Sequence, residues 1–154
     1  MAEALSRADR ILRLLAWPAA LWIAFELTWY QQFKLTGNEG SVHLFTILSD
    51  WLGTPGGEKP FRLFVAILEI FCAVLVLIPR TRMIGAALSL GTMGGAIFFH
   101  TVSPLGIDPY GDGGTLFKEA VFTFVMAGFV LFAHRSEAIA LLGAPRARFL
   151  PATA

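Results

Sequence analysis

Four stretches of this chain are apolar for long enough to cross a lipid bilayer as helices, and short polar segments divide them. Spanning the hydrocarbon takes about 20 predominantly apolar helical residues. The first stretch runs from Leu12 to Tyr30 and beyond Arg13 at its start is interrupted only by Pro18 and Glu26. Pro18 falls in its first turns, where a missing N–H costs least. The second runs from Phe61 to Ile78, is ended by Pro79, and beyond Arg62 at its start carries Glu69 as its single charge. The third covers Met83 to Val102 and is ended by Ser103-Pro104. The fourth covers Thr115 to Ala133, with Lys118 and Glu119 in its first turns.

The same pattern predicts one shorter helix inside the long connection formed by residues 31–60. From Ser41 to Leu52, Val42, Phe45, Leu48 and Leu52 fall on one stripe, which Leu44, Ile47 and Trp51 widen. Ser41 reads as its N-cap and Gly53 as its stop. The segment is too short to span, so it is expected to lie on the membrane interface or to re-enter slightly. Residues 54–60 and 103–114 read as loops. The expected architecture is all-α: a four-helix transmembrane bundle, one membrane domain over residues 1–154, with a short interfacial helix in the first extracytoplasmic connection. Trp17, Trp29, Tyr30 and Trp51 suit membrane boundaries, where an aromatic ring keeps one polar edge wet.

Composition agrees. The chain is 56% hydrophobic and 15% charged, with a mean hydropathy of +0.66, whereas a soluble domain has about a quarter of its residues charged. A net charge of +1 gives no argument for a nucleic-acid partner. Cys72 is the only cysteine, so disulfide exchange within the chain is excluded. Arg7, Arg10 and Arg13 resemble the basic region of a signal peptide. The apolar stretch that follows is too long, contains Glu26, and is not followed by a small-x-small cleavage pattern, so it reads as an anchor.

Basic residues set the expected orientation. Arg7, Arg10, Arg13, Arg80, Arg82, Arg135, Arg146 and Arg148 fall on one side of the four segments. Lys34, Lys59, Arg62 and Lys118 fall on the other, mixed with acidic residues. The positive-inside rule then places both termini in the cytoplasm. In the third segment Gly85, Ser89, Gly91, Gly94 and Gly95 recur at three- and four-residue spacing, which predicts close helix packing.

Ionisable residues inside spanning segments are costly, and they usually face protein or water. Glu69, Glu26, His100, Lys118 and Glu119 all project into one zone, the outer half of the bundle. Tyr30 lies beside them, and Lys34 and His43 from the outer connection are placed to cap them. Two readings follow. In one, the groups form buried ion pairs that fix the bundle, with Lys118 pairing Glu26 or Glu69. In the other, they line an outward-opening pocket with Glu69 deepest, suited to proton exchange with a bound molecule. Only His43 and His100 lie on the outer side, and no ligand-spaced pair occurs on one helix, so a metal is not expected. Gly111-Asp-Gly-Gly114 resembles half a calcium loop with too few carboxylates and reads as a turn.

The run from Leu68-Glu69 to Pro79-Arg80-Thr81 resembles the second-helix signature of the DoxX-like membrane proteins, in which a Glu precedes an apolar stretch closed by Pro and a basic residue. The third helix, from Ile84-Gly-Ala-Ala to Phe99-His100, is similar to that family, as is Trp29-Tyr-Gln-Gln-Phe-Lys34 at the end of the first. The resemblance implies a four-helix bundle in a bacterial inner membrane and an association with quinone chemistry. It carries over Glu69 and His100, and Lys34 more loosely, as polar positions. The expected function is a redox-associated protein that binds a quinone or a similar small lipophilic molecule. The alternative is a non-catalytic accessory or assembly subunit working through a membrane-protein partner or as a homo-oligomer. A small-solute transporter fits least, because no inverted repeat is present.

Overall fold

The computed structural model describes residues 6–137. Its helices are α1 (Arg7–Trp29), α2 (Gln31–Thr36), α3 (Glu39–Trp51), α4 (Glu58–Leu77), α5 (Arg82–Val102) and α6 (Thr115–Ala133). Four spans are long and apolar enough to cross a membrane: α1 continued by α2, then α4, α5 and α6. They form the four-helix transmembrane bundle that the apolar pattern predicts. Arg146, Arg148 and the two ends of the domain read over residues 1–154 lie outside the described residues.

The helices close into a ring in which α1 packs on α4 and α6, and α5 packs on the same two neighbours. Small residues make this possible. Ala16, Ala19, Ala20 and Ala24 form the buried stripe of α1, and Ala120 and Ala127 face them from α6. Close backbone approach of this kind holds helices together where lipid removes the usual hydrophobic drive. The bulky residues point the other way: Leu14, Phe25, Phe64, Ile67, Phe98 and Phe132 are more than half exposed. So large an apolar surface suits hydrocarbon and not water.

At one end of the bundle the arginines gather. Arg13 pairs with Glu137 at 2.7 Å and Arg135 with Asp9 at 3.0 Å. Arg82, nearly buried, lies over the Trp17 ring at 3.7 Å and donates to the Val76 carbonyl at 3.1 Å, which caps the end of α4. The opposite end carries α2, α3 and the loop of residues 103–114, and it positions the site.

Local chemistry moves several boundaries. Helix α1 begins at Arg7 because the Ser6 hydroxyl accepts from the Asp9 N–H at 3.0 Å. Pro18 is therefore interior and not in the first turns, and it removes one helical hydrogen bond there. Asn38, not Ser41, caps α3, accepting from the Gly40 N–H at 3.1 Å. The connection also holds a second helix, α2, which follows the break at Tyr30 and stops at Gly37 in the left-handed conformation (φ 71°).

Glycine packing along α5 divides in two. A Cβ on Gly85 would stand 2.3 Å from the Val76 backbone N, so α4 and α5 touch there. A Cβ on Gly91 or Gly95 would meet nothing within 4 Å. Those two glycines do not mediate the close contact that their spacing suggests.

Candidate functional site

A cavity of about 530 Å³ lies between the helices toward the α3 end. Its size falls within the range of small-molecule pockets. Helices α1, α4 and α5 form its walls. Phe45 and Leu48 of α3 cover it, with Phe45 set edge-on to Phe61 of α4 at 5.3 Å. Most of the lining is apolar, and a few polar groups converge on it, as ligand pockets commonly show.

Glu69 is the hub of these groups. It sits on the buried face of α4, 5% exposed. One of its oxygens, Oε2, takes an ion pair from Lys34 and a hydrogen bond from Gln31 Nε2 at 2.6 Å. Its other oxygen has no hydrogen-bond partner among the described residues. Gln31 also donates to the Leu27 carbonyl, so both of its amide hydrogens are used and its orientation is fixed. Lys34 is held from behind. Arg62 donates to the Lys34 carbonyl and pairs with Glu58 one turn earlier on α4. This chain of contacts explains α2: its single turn and a half brings Gln31 and Lys34, three residues apart, onto the α4 side.

Glu26, on α1, lines the same cavity and is 6% exposed. Among the described residues nothing hydrogen-bonds its carboxyl. A buried polar group without a partner is expensive, and beside this cavity Glu26 shares that condition with Gln31 Oε1, which is buried and also lacks a partner among the described residues. One turn further along, Tyr30 lines the cavity and gives its hydroxyl to Glu119 of α6.

His100 closes the group from α5, 4% exposed. Its Nδ1 lies 2.6 Å from the Gly106 carbonyl. A carbonyl only accepts, so Nδ1 carries the hydrogen, and in the uncharged tautomer Nε2 is then the acceptor. Tyr110, in the loop that carries Gly106, lines the cavity and ties the loop to α3 by donating to the Gly40 carbonyl at 2.9 Å. Burial, and after it the charge on Asp112, raise the Tyr110 pKa and keep this donor protonated.

Of the residues expected at the site, Glu69, Glu26, His100, Tyr30 and Lys34 line the cavity, and Glu119 joins it through Tyr30. Lys118 and His43 do not. Neighbours on a helix point about 100° apart, so with Glu119, Ala120 and Thr123 turned inward Lys118 is exposed. The anticipated pairing of Lys118 with Glu26 or Glu69 is not formed; Lys34 takes that place. His43 lies opposite the buried stripe of Ser41, Phe45 and Leu48 on α3 and is exposed. Gln31, Arg62 and Tyr110 belong to the site without having been singled out from sequence. The three-residue spacing from Lys34 is a signal for Gln31 alone; nothing in the spacing marks Arg62 or Tyr110. In the loop, Asp108 accepts from the Asp112 and Gly113 N–H groups at 2.9 and 3.1 Å, so its carboxylate is engaged by backbone. Among the described residues, no three metal-ligating side chains gather.

No family model, curated protein or solved structure matches the chain.

Proposed function

We propose that this chain is a DoxX-like inner-membrane protein, redox-associated through its ligand, that binds a quinone or a similar small lipophilic molecule in the cavity beside Glu69. The observation that carries this reading is the pairing of an apolar, membrane-depth cavity with hydrogen-bonding groups of both kinds: the Lys34 ammonium, with N–H donors beyond the one it gives Glu69, and as acceptors the unspent carboxyl oxygens on Glu26 and Glu69 and a ring nitrogen of His100. A quinone ring is flat, apolar on its faces and polar at two opposed oxygens, which become hydroxyl donors on reduction. Glu69 would exchange protons with those oxygens, and His100 would orient them. The arginine-rich end faces the cytoplasm in this reading, supported by Arg7, Arg10, Arg13, Arg82 and Arg135.

The test is saturable binding of a short-chain benzoquinol, the reduced form whose hydroxyls donate, to purified protein in nanodiscs, followed by quenching of intrinsic tryptophan fluorescence. A hydrogen bond lost to the charged Glu69 is worth about 1.5–3 kcal/mol and one to an uncharged ring about 0.5–1.5 kcal/mol, so Glu69→Gln should weaken binding about tenfold or more and His100→Ala about twofold to tenfold. Absence of saturable binding, or binding indifferent to both changes, would sink the reading.

A further inference from the structure

The outward face of α5 is a row of bulky apolar residues with a gap in it. Ile84, Leu88, Phe98 and Val102 are exposed at 57%, 37%, 52% and 50%. Their three- and four-residue spacing puts them on one stripe of the helix. The positions that complete that stripe between Leu88 and Phe98 are Gly91 and Gly95. Both line the cavity, Gly91 is exposed, and open space extends where either would carry a Cβ. The stripe of small residues is therefore a notch through which the cavity reaches the outer surface of the bundle.

Depth decides what lies outside that notch. Gly91 is nine residues from Arg82 and eleven from Val102. At 1.5 Å per residue these are about 14 and 17 Å from the helix ends, which is the middle of a hydrocarbon layer about 30 Å thick. Water does not reach that level, so the notch faces acyl chains. Directly inside, the cavity holds Glu26, 94% buried and without a partner, together with the open oxygen of Glu69. A site with polar groups within and hydrocarbon at its door matches a molecule with those two parts.

We propose that the ligand is a bilayer-resident amphiphile: a compact hydrogen-bonding head lies against Glu26 and Glu69, and a hydrocarbon tail leaves through the Gly91–Gly95 notch into the membrane. This rests on the cavity being a lipophile site, as proposed above, and adds the ligand's architecture and its route. A cavity of about 530 Å³ then needs to enclose only the head and the start of the tail. Tail length beyond that point does not matter to the protein.

Two benzoquinones with the same head test this, one with a single isoprenyl unit and one with a long polyprenyl tail, both titrated in nanodiscs. The wild-type chain should bind both with dissociation constants within about tenfold of each other. In the Gly91→Leu/Gly95→Leu variant, side chains fill the open notch, and helix propensity rises by about 1 kcal/mol per site, so the fold is kept. That variant should weaken the long-tailed quinone about a hundredfold or more beyond any change it makes to the short-tailed one. Gly91→Leu alone should show the same split in smaller measure. Wild-type protein that binds only the short-tailed compound has a closed site, and that result overturns the proposal. Equal binding of both by the double variant overturns it as well. If the double variant instead loses self-association with both affinities unchanged, the notch is a helix–helix contact and the proposal fails. Failure of the wild type to bind either compound speaks against the lipophile site itself, and so is distinct from these outcomes.

Discussion

Lys34 of α2 and Glu69 of α4 form an ion pair at the wall of the cavity, with side chains only 15% and 6% exposed. Desolvating two charges roughly cancels their attraction, so such a pair contributes little net stability. Removing one partner is another matter, since it strands the other charge. Lys34→Met should destabilise the protein by about 3–5 kcal/mol, and Lys34→Met/Glu69→Leu should recover most of that loss. Unfolding in mixed micelles, followed by circular dichroism for the two single variants and the double, provides the cycle. Additive losses would mean the pair does not couple α2 to α4.

Glu26 should behave in the opposite way. Its carboxyl has no partner among the described residues, so Glu26→Leu removes a buried polar group and strands nothing. Stability should stay level or rise by about 1 kcal/mol. Affinity for a short-chain benzoquinone should nevertheless fall about tenfold, the worth of one hydrogen bond. A variant that loses stability while keeping its affinity would assign Glu26 to the fold and not to the ligand.

The spans were legible because each apolar run is long and its ends are marked, by Pro79 after α4 and by Ser103-Pro104 after α5. Hydropathy also located the charges within the membrane, and with them Glu69, Glu26 and His100. Partner choice was not legible. It depends on the turn at Tyr30, which swings Lys34 toward α4, and on a 100° difference in direction between Lys118 and Glu119. Neither is a property of spacing along the chain. The glycines of α5 were ambiguous for a related reason. A small residue permits close approach without requiring it, and only the position of α4 separates Gly85 from Gly91.

That separation can be measured. A Cβ at Gly85 would lie 2.3 Å from Val76 N and 2.6 Å from the Leu75 carbonyl carbon, both backbone atoms that cannot yield without moving α4. Gly85→Ala should therefore destabilise by about 2 kcal/mol or more, as overpacking does. Gly91→Ala and Gly95→Ala meet open space, and each should stabilise by up to about 1 kcal/mol through helix propensity. Thermal unfolding of the three variants decides it. Equal effects at all three sites would contradict the notch.

The loop that seats His100 should respond to acid through Asp108. Burial opposes the charge on this carboxyl, but the N–H groups of Gly114, Asp112 and Gly113 outweigh it and hold its pKa below the usual carboxylate value. Because folding lowers the pKa, the stabilisation is fully present above the unfolded value of about 3.9 and fades as pH falls through the lower folded one. Three left-handed glycines, Gly111, Gly113 and Gly114, leave the loop dependent on these bonds for its shape. The amide signals of Asp112 and Gly113 should thus titrate together, with a midpoint below 3.9, the value of an unperturbed Asp. The link to the site is the Tyr110 bond to Gly40, which joins the same loop to α3. Asp108→Asn should abolish that titration and, by loosening Tyr110 and the Gly106 carbonyl on His100, weaken benzoquinone binding at neutral pH about threefold to tenfold. Binding unchanged in Asp108→Asn, with the titration lost, would separate the loop from the site.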